Sequence, residues 1–217
     1  MHAQFSNRVE AGRQLAGKLA KYTGPEVLVL ALPRGGVPVA AEVARALHAP
    51  LDVLVVRKLG LPGHEELAVG AIASGGLQVV NAGVVGPHGV SGQVIAAVAA
   101  REQRELARRE LTYRAGRPAP VIRGQTVILV DDGVATGATM RVAIAALRQA
   151  RAGRIIAAAP VMARDSYFEL RSAADECVAL LIPRDFAAVG GFYTDFGQTT
   201  DEEVCALLAG AMPARPR

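Results

Sequence analysis

At 217 residues, 51% hydrophobic and 20% charged, the chain can bury one sizeable core and is too apolar for intrinsic disorder, so a single domain over 1–217 is expected. Its apolar runs fall short of the roughly 20 residues a membrane span requires, and MHAQFSNRVE lacks a signal-peptide core, which points to a soluble, cytoplasmic protein. The net charge of +4 suits anionic ligands, whereas five Phe, four Tyr, no Trp and no basic arm disfavour a nucleic-acid surface.

Asn7 to Tyr22 has the spacing of an amphipathic helix, with Val9, Leu15 and Leu19 among its apolar positions. Val27 to Leu32 reads as a short strand, and LPRGGVPVA then turns into a helix over Val37 to Leu47. In that turn Gly35 and Gly36 make a small backbone nest beside Arg34, whose planar fork matches the oxygens of a diphosphate; an ordinary strand-to-helix turn is the plain alternative. Leu51 to Val56 is a second strand. Arg57 and Lys58 stand at its carboxyl end, either as a further cationic wall for the same anion or as a solvated pair. The stretch VVRKLGLPGHEELAVG continues with the Gly, Pro and charge content of a lid that excludes water from a site. Glu66, or Glu65 beside it, could exchange a proton with a bound ligand if a lid brought it close, as could His64; a turn cap with solvated side chains is the alternative. Ser91 suits the N-cap of a helix running to Gly116, rich in paired Glu and Arg. That helix is either a solvated face or an arm toward a second subunit, so residues of about 59–116 could form an inserted lid and arm.

Val127 to Thr139, VILVDDGVATGAT, is the most informative stretch. Its four leading apolar residues suit the centre of a parallel sheet, whose carboxyl edge opens into the ligand crevice of such folds. Gly133 and Gly137 let the backbone turn, Ala135 and Ala138 keep side chains clear, and Thr136 and Thr139 add hydroxyls, so several N–H groups can converge on one phosphate. Thr139 to Ala150 has helical spacing and would aim its N-terminal dipole at the same anion. Asp131 and Asp132 would repel that phosphate, but they suit another part of the same ligand, accepting from sugar hydroxyls or holding water around Mg²⁺. The ligand is then a phosphorylated sugar accompanied by a metal.

Arg154 to Met162 and Glu176 to Ile182 add two strands, and a last helix spans Asp201 to Ala209. Alternating strands and helices imply an α/β fold with a mostly parallel central sheet flanked by helices. Phe186, Phe192, Tyr193 and Phe196 lie close together before the last helix, either stacking on a ligand or packing onto the sheet. Cys177 and Cys205, each among apolar neighbours, are expected as buried free thiols, and His2, His48 and His88 lack the spacing of a zinc site.

The thirteen residues from Val127 to Thr139 resemble, without a gap, the signature of type I phosphoribosyltransferases: four apolar residues, two acidic ones, and a small Thr-rich loop closing on TG. The resemblance implies the fold of that family, with a flexible loop over the site and a small variable hood at about 183–200. It implies that 5-phosphoribosyl-1-diphosphate (PRPP) is the donor and that Mg²⁺ is bound with it. Asp131 and Asp132 would then contact the ribose hydroxyls and, through water or PRPP, the metal. Gly133, Ala135, Thr136, Gly137, Ala138 and Thr139 would bind the 5′-phosphate, and Arg34, Gly35, Gly36, Arg57 and Lys58 the diphosphate. In the family the loop after the first strand often carries a strained peptide bond that turns an N–H toward the ligand. Arg34, Lys58, Asp131, Asp132 and Glu66 form the expected catalytic set, and Phe192 and Tyr193 the expected base contacts. The implied activity is transfer of phosphoribosyl to a small nitrogenous acceptor such as a nucleobase, with release of diphosphate, and the helical arm is compatible with a homodimer.

Ala135 stands where hypoxanthine and guanine enzymes have an acidic residue, and the ATG form is closer to adenine enzymes. PRGG, VRKLGLPGHEELAVGAIASGG and FYTDF are similar to a group of bacterial phosphoribosyltransferase-like proteins of unassigned acceptor. The alternative is a regulator that keeps the cradle to sense PRPP or a nucleotide without transferring anything. Synthesis of PRPP from ATP would call for two repeated domains, and the chain has no internal repeat.

Overall fold

The computed structural model describes residues 4–61, 64–80 and 91–211, with side chains for all of these except 61, 64–69, 77, 79 and 80. The Asn7 side chain accepts from the Glu10 N–H at 3.0 Å and so starts helix α1 (Arg8–Leu19) one residue inside its apolar pattern. Strand β1 (Val27–Ala31), helix α2 (Gly36–Leu47) and strand β2 (Leu51–Val53) follow. The chain then leaves this layer for three strands, β3 (Val56–Leu61), β4 (His64–Ala73) and β5 (Leu77–Val80), and a long helix α3 (Gly92–Arg114) capped by Ser91. It returns through β6 (Thr126–Val130), α4 (Ala138–Gln149), β7 (Arg154–Val161), α5 (Arg164–Ala173) and β8 (Glu176–Leu181). A 3₁₀ turn at Val189–Phe192 and helix α6 (Asp201–Ala209) end the described chain. Among the described residues no helix is long and apolar enough to cross a membrane.

The main sheet has the order β2-β1-β6-β7-β8 and is parallel throughout. Side chains alternate across it, as the period of two in a strand requires. Val27, Val29, Ala31, Ile128 and Val130 join a core with α1, α2 and α6, whereas Leu28, Leu30, Val127 and Leu129 join a second with Met140, Ile144 and Leu147 of α4 and Leu170 of α5. Both faces are covered, which is why these strands read as unbroken apolar runs.

Two segments depart from the sequence reading. The expected strand over Leu51 to Val56 breaks after Val53, and Val55 and Ser74 clasp each other at the break: the Val55 N–H donates to Ser74 Oγ and the Ser74 N–H to the Val55 carbonyl, both at 2.9 Å. The segment expected as a flexible lid is, over its described residues, an antiparallel ribbon ordered β3-β4-β5. Burial accounts for it. Leu59 and Ile72 pack with Ile95, Val98 and Ala99 of α3, while Val56 packs with the α4 core, so the ribbon is gripped from two sides. Helix α5 was not singled out by apolar spacing because it buries only Ser166 and Leu170. Cys177 is a buried free thiol as expected; Cys205, also free and expected buried, is only half-buried, packed at the margin of the core with its thiol toward the Thr112 carbonyl at 3.5 Å.

Candidate functional site

β1 and β6 are neighbours, but the chain continues from β1 to β2 on one side and from β6 to β7 on the other. The loops leaving their carboxyl ends therefore diverge and open a crevice, the position at which open α/β sheets bind ligands. Here those loops are Leu32–Gly35 and Asp131–Gly137. The Leu32 N–H donates to the Val130 carbonyl at 2.9 Å, and the Pro33–Arg34 peptide is cis. A Cβ placed on Gly35 would lie 2.0 Å from Asp132 Oδ2, so only glycine lets this turn rest directly against the acidic pair.

The second loop is shaped by contacts that pull it off the strand axis. Val134 is buried, donates to the Val161 carbonyl at 2.9 Å and accepts from the Ala163 N–H at 2.8 Å, anchoring the loop to β7. Ser166 Oγ donates to the Ala135 carbonyl at 2.5 Å and Arg141 Nη1 to the Thr136 carbonyl at 2.9 Å. Both turn carbonyls outward from the concavity. Gly137, at φ +69°, takes a left-handed conformation that a side chain would oppose, and it starts α4 with no side-chain cap. The first N–H groups of α4 thus face a cavity of about 180 Å³ lined by Asp131, Gly133, Thr136, Ala138 and Thr139 and roofed by Val189. Apart from a long contact of 3.5 Å from the Ala138 N–H to Thr136 Oγ1, these amides have no side-chain cap, and with the positive end of a helix dipole behind them they suit a phosphate.

The two carboxylates differ in surroundings. Burial first, and the neighbouring charge of Asp132 second, push the Asp131 carboxyl well above the ordinary aspartate value of 3.8. Asp132 is paired with Arg8, whose Nε lies 2.8 Å from Oδ2. Its backbone carbonyl accepts from Tyr193 Oη at 2.5 Å. Among the described residues no group of three or more His, Cys, Asp or Glu could cage a metal, so the acidic pair fits Mg²⁺ only as an ion shared with a bound ligand's oxygens.

The remaining expected residues are placed as follows. Arg34 reaches toward Asp201 at the start of α6, at 3.8 Å. Asp201 also accepts from Tyr113 Oη at 2.7 Å, and burial together with that carboxylate pushes the Tyr113 phenol up to about 12. Arg57 turns away from the crevice and pairs with Glu102 of α3. Lys58, next along β3, lies on the opposite face of the ribbon and is exposed. His64, Glu65 and Glu66 fall in β4, and their side chains lie outside the described part. Phe192 and Tyr193 are buried with Phe5 and Val161. Phe186 stacks on Phe192 at 5.6 Å and Phe196 on Tyr193 at 5.0 Å, so each ring has a face taken by a neighbour. Arg8, Ser166 and Val189 shape the site without any local signal in the sequence, each reaching it from another element, while Arg141 reaches back to the loop from the first turn of α4.

A family model described as phosphoribosyl transferase domain matches residues 4–196. A Mycobacterium tuberculosis protein named "Putative phosphoribosyl transferase", in strains CDC 1551 and H37Rv, is 47% identical over 204 residues, which is 94% of this chain and 46% of the relative. The chain thus spans about half the length of the curated relatives it matches. The crystal structure of TT1426 from Thermus thermophilus superposes with a TM-score of 0.84 at 44% identity, covering 94% of this chain and 97% of that one.

Proposed function

The chain belongs to the phosphoribosyl transferase domain family, and from that premise we propose that it transfers the phosphoribosyl group of PRPP to a small nitrogenous acceptor, a nucleobase being the simplest, with release of diphosphate. One observation carries the reading: an uncapped phosphate cradle and a glycine turn suited to diphosphate meet at the same strand crossing, with two carboxylates between them.

In this reading the cradle from Gly133 to Thr139 holds the 5′-phosphate, and Asp131 and Asp132 accept hydrogen bonds from the ribose hydroxyls. The C1–O bond to diphosphate breaks with both electrons leaving on oxygen, the acceptor nitrogen forms the new bond to C1, and that nitrogen loses a proton. The transition state is oxocarbenium-like, so the protein's task is to neutralise the departing charge and hold the nucleophile in line. Arg34 and the amides of Gly35 and Gly36 receive the diphosphate, and Lys58 closes on it from the ribbon. Bound with PRPP, Mg²⁺ would supply further positive charge to the same oxygens. Glu66 is assigned the nitrogen's proton by its position in the chain. Phe192 and Tyr193 serve the acceptor by holding the hood together over it.

Titration calorimetry with PRPP and Mg²⁺, followed by a diphosphate-release screen over purines, pyrimidines and other amines, tests the proposal. Saturable binding with release for one acceptor is expected; binding without release for any acceptor would favour a sensor, and no binding would refute the site. Replacing both carboxylates, Asp131→Asn with Asp132→Asn, removes charge-assisted hydrogen bonds worth about 1.5–3 kcal/mol each, so PRPP affinity should fall roughly 100-fold or more while the fold persists.

A further inference from the structure

Arg8 is in an unusual place for a cation. It occupies the first position of α1, where the helix dipole favours negative charge, so helix stability does not account for it. Its guanidinium is largely buried, 12% exposed, against Asp132 at 14%. Nε donates to Asp132 Oδ2 at 2.8 Å, and Nη1 donates to the Gly197 carbonyl at 2.7 Å. The guanidinium carbon lies 3.9 Å from the centre of the Phe196 ring. Phe196 stacks on Tyr193, and Tyr193 Oη returns to the backbone carbonyl of Asp132 at 2.5 Å. The contacts form a closed circuit: Asp132 is gripped at its carboxylate through Arg8 and at its carbonyl through Tyr193, with Phe196 joining the two grips.

We propose that Arg8 is a positioning residue that fixes the Asp132 carboxylate for the sugar hydroxyls and ties it mechanically to the hood segment Tyr193–Gly197. This rests on the phosphoribosyl reading of the site. Arg8 engages a single carboxylate oxygen through one nitrogen, and a carboxylate offers about four lone-pair sites, so acceptor capacity remains for a ligand. A guanidinium clamped between an aromatic face and a backbone carbonyl has little rotamer freedom left, and it passes that rigidity to its partner. Ordering the hood and ordering the ribose-binding acid then become one event.

The test uses the full chain and two probes, ribose 5-phosphate and inorganic phosphate, titrated into the wild type, Arg8→Gln, Arg8→Lys and Phe196→Leu. Both probes engage the cradle, but only ribose 5-phosphate needs Asp132. Arg8→Gln is expected to weaken ribose 5-phosphate by about tenfold and inorganic phosphate by less than about twofold. Arg8→Lys should recover part of the loss by restoring the charge, and Phe196→Leu, which leaves the ion pair's own atoms intact, should weaken ribose 5-phosphate selectively as well. Ribose 5-phosphate binding in Arg8→Gln that equals or exceeds the wild type overturns the inference, as does equal weakening of both probes. Should Arg8→Gln fail to fold, Arg8→Lys and Phe196→Leu decide by the same selectivity. A wild type that binds neither probe overturns the reading of the site itself, a result distinct from unchanged binding in the variants.

Discussion

Asp131 sits at the end of a fully buried strand with another carboxylate beside it, and the cation in the neighbourhood, Arg8, pairs with Asp132 instead. A carboxyl whose folded value lies above its unfolded value stabilises the fold while protonated and loses that contribution as pH rises through the folded value. Above that point the wild type carries an ionised, desolvated group that Asn would not. Asp131→Asn should therefore melt at a higher temperature than the wild type at neutral pH, without divalent cations. The gap should narrow as pH falls toward 3.8 and vanish below it, where both states of the wild type hold the proton. Melting curves from pH 4 to 8 check this; a lower melting temperature for Asp131→Asn at pH 8 would contradict it. Under the proposed function, the variant would trade ligand affinity for stability. Asp131, Gly133 and Thr136 were legible in the sequence because a strand, a turn and a helix start are written in consecutive residues. Arg8 was not, since 124 positions separate it from Asp132 and nothing in RVEAGRQL distinguishes a site arginine from a solvated one.

Helix α3 shows how an element outside the main sheet is held to it. At its carboxyl end Arg114, a favourable place for a cation, donates through Nε to both Asp52 oxygens at 3.1 and 3.2 Å, through Nη1 to Glu110 at 2.8 Å and through Nη2 to the Val53 carbonyl at 3.2 Å. Burial raises the Asp52 carboxyl, and the Arg114 charge opposes that rise. Removing the arginine alone strands a buried carboxylate, so Arg114→Ala should cost about 3–5 kcal/mol in urea unfolding. Arg114→Met combined with Asp52→Asn should be much less damaging, because no uncompensated charge remains. The strong helices and the central strands were legible from periodicity, and Ser91 accepts the backbone bond its expected cap position implies; Asn7 and Thr200 cap α1 and α6 in the same way. The ribbon was not, because Gly and Pro around Leu61 signal a break in local propensity, whereas its strands are specified by packing against α3 and α4. The aromatics near the end of the chain were open to two readings, and in the structure Phe192 and Tyr193 lie within a core with Phe5.

The parallel order of the sheet was legible from alternation alone, but the strand crossing that creates the crevice was not, since sequence does not say on which side of β1 the later strands settle. Because the site is assembled from both halves of the sheet, a ligand bridging them should stabilise the protein as a unit. At a ligand concentration 100 times its dissociation constant, linkage contributes about 2.7 kcal/mol, equivalent for a domain of this size to a rise of roughly 5–10 °C in melting temperature. PRPP with Mg²⁺ is expected to give such a shift and sucrose phosphate, which lacks the free ribose hydroxyl pair, a smaller one; differential scanning fluorimetry reads both. The same strand order bears on how the chain is made. β1 ends at Ala31 and its inner neighbour β6 begins at Thr126. On a ribosome adding about 5–20 residues per second, the roughly hundred intervening residues take on the order of 5–20 s to emerge. Throughout that interval VLVLA presents one hydrogen-bonding edge with nothing to pair with. A nascent chain at that stage is therefore expected to present an unpaired apolar strand edge, the kind of surface a chaperone binds, until the second half arrives.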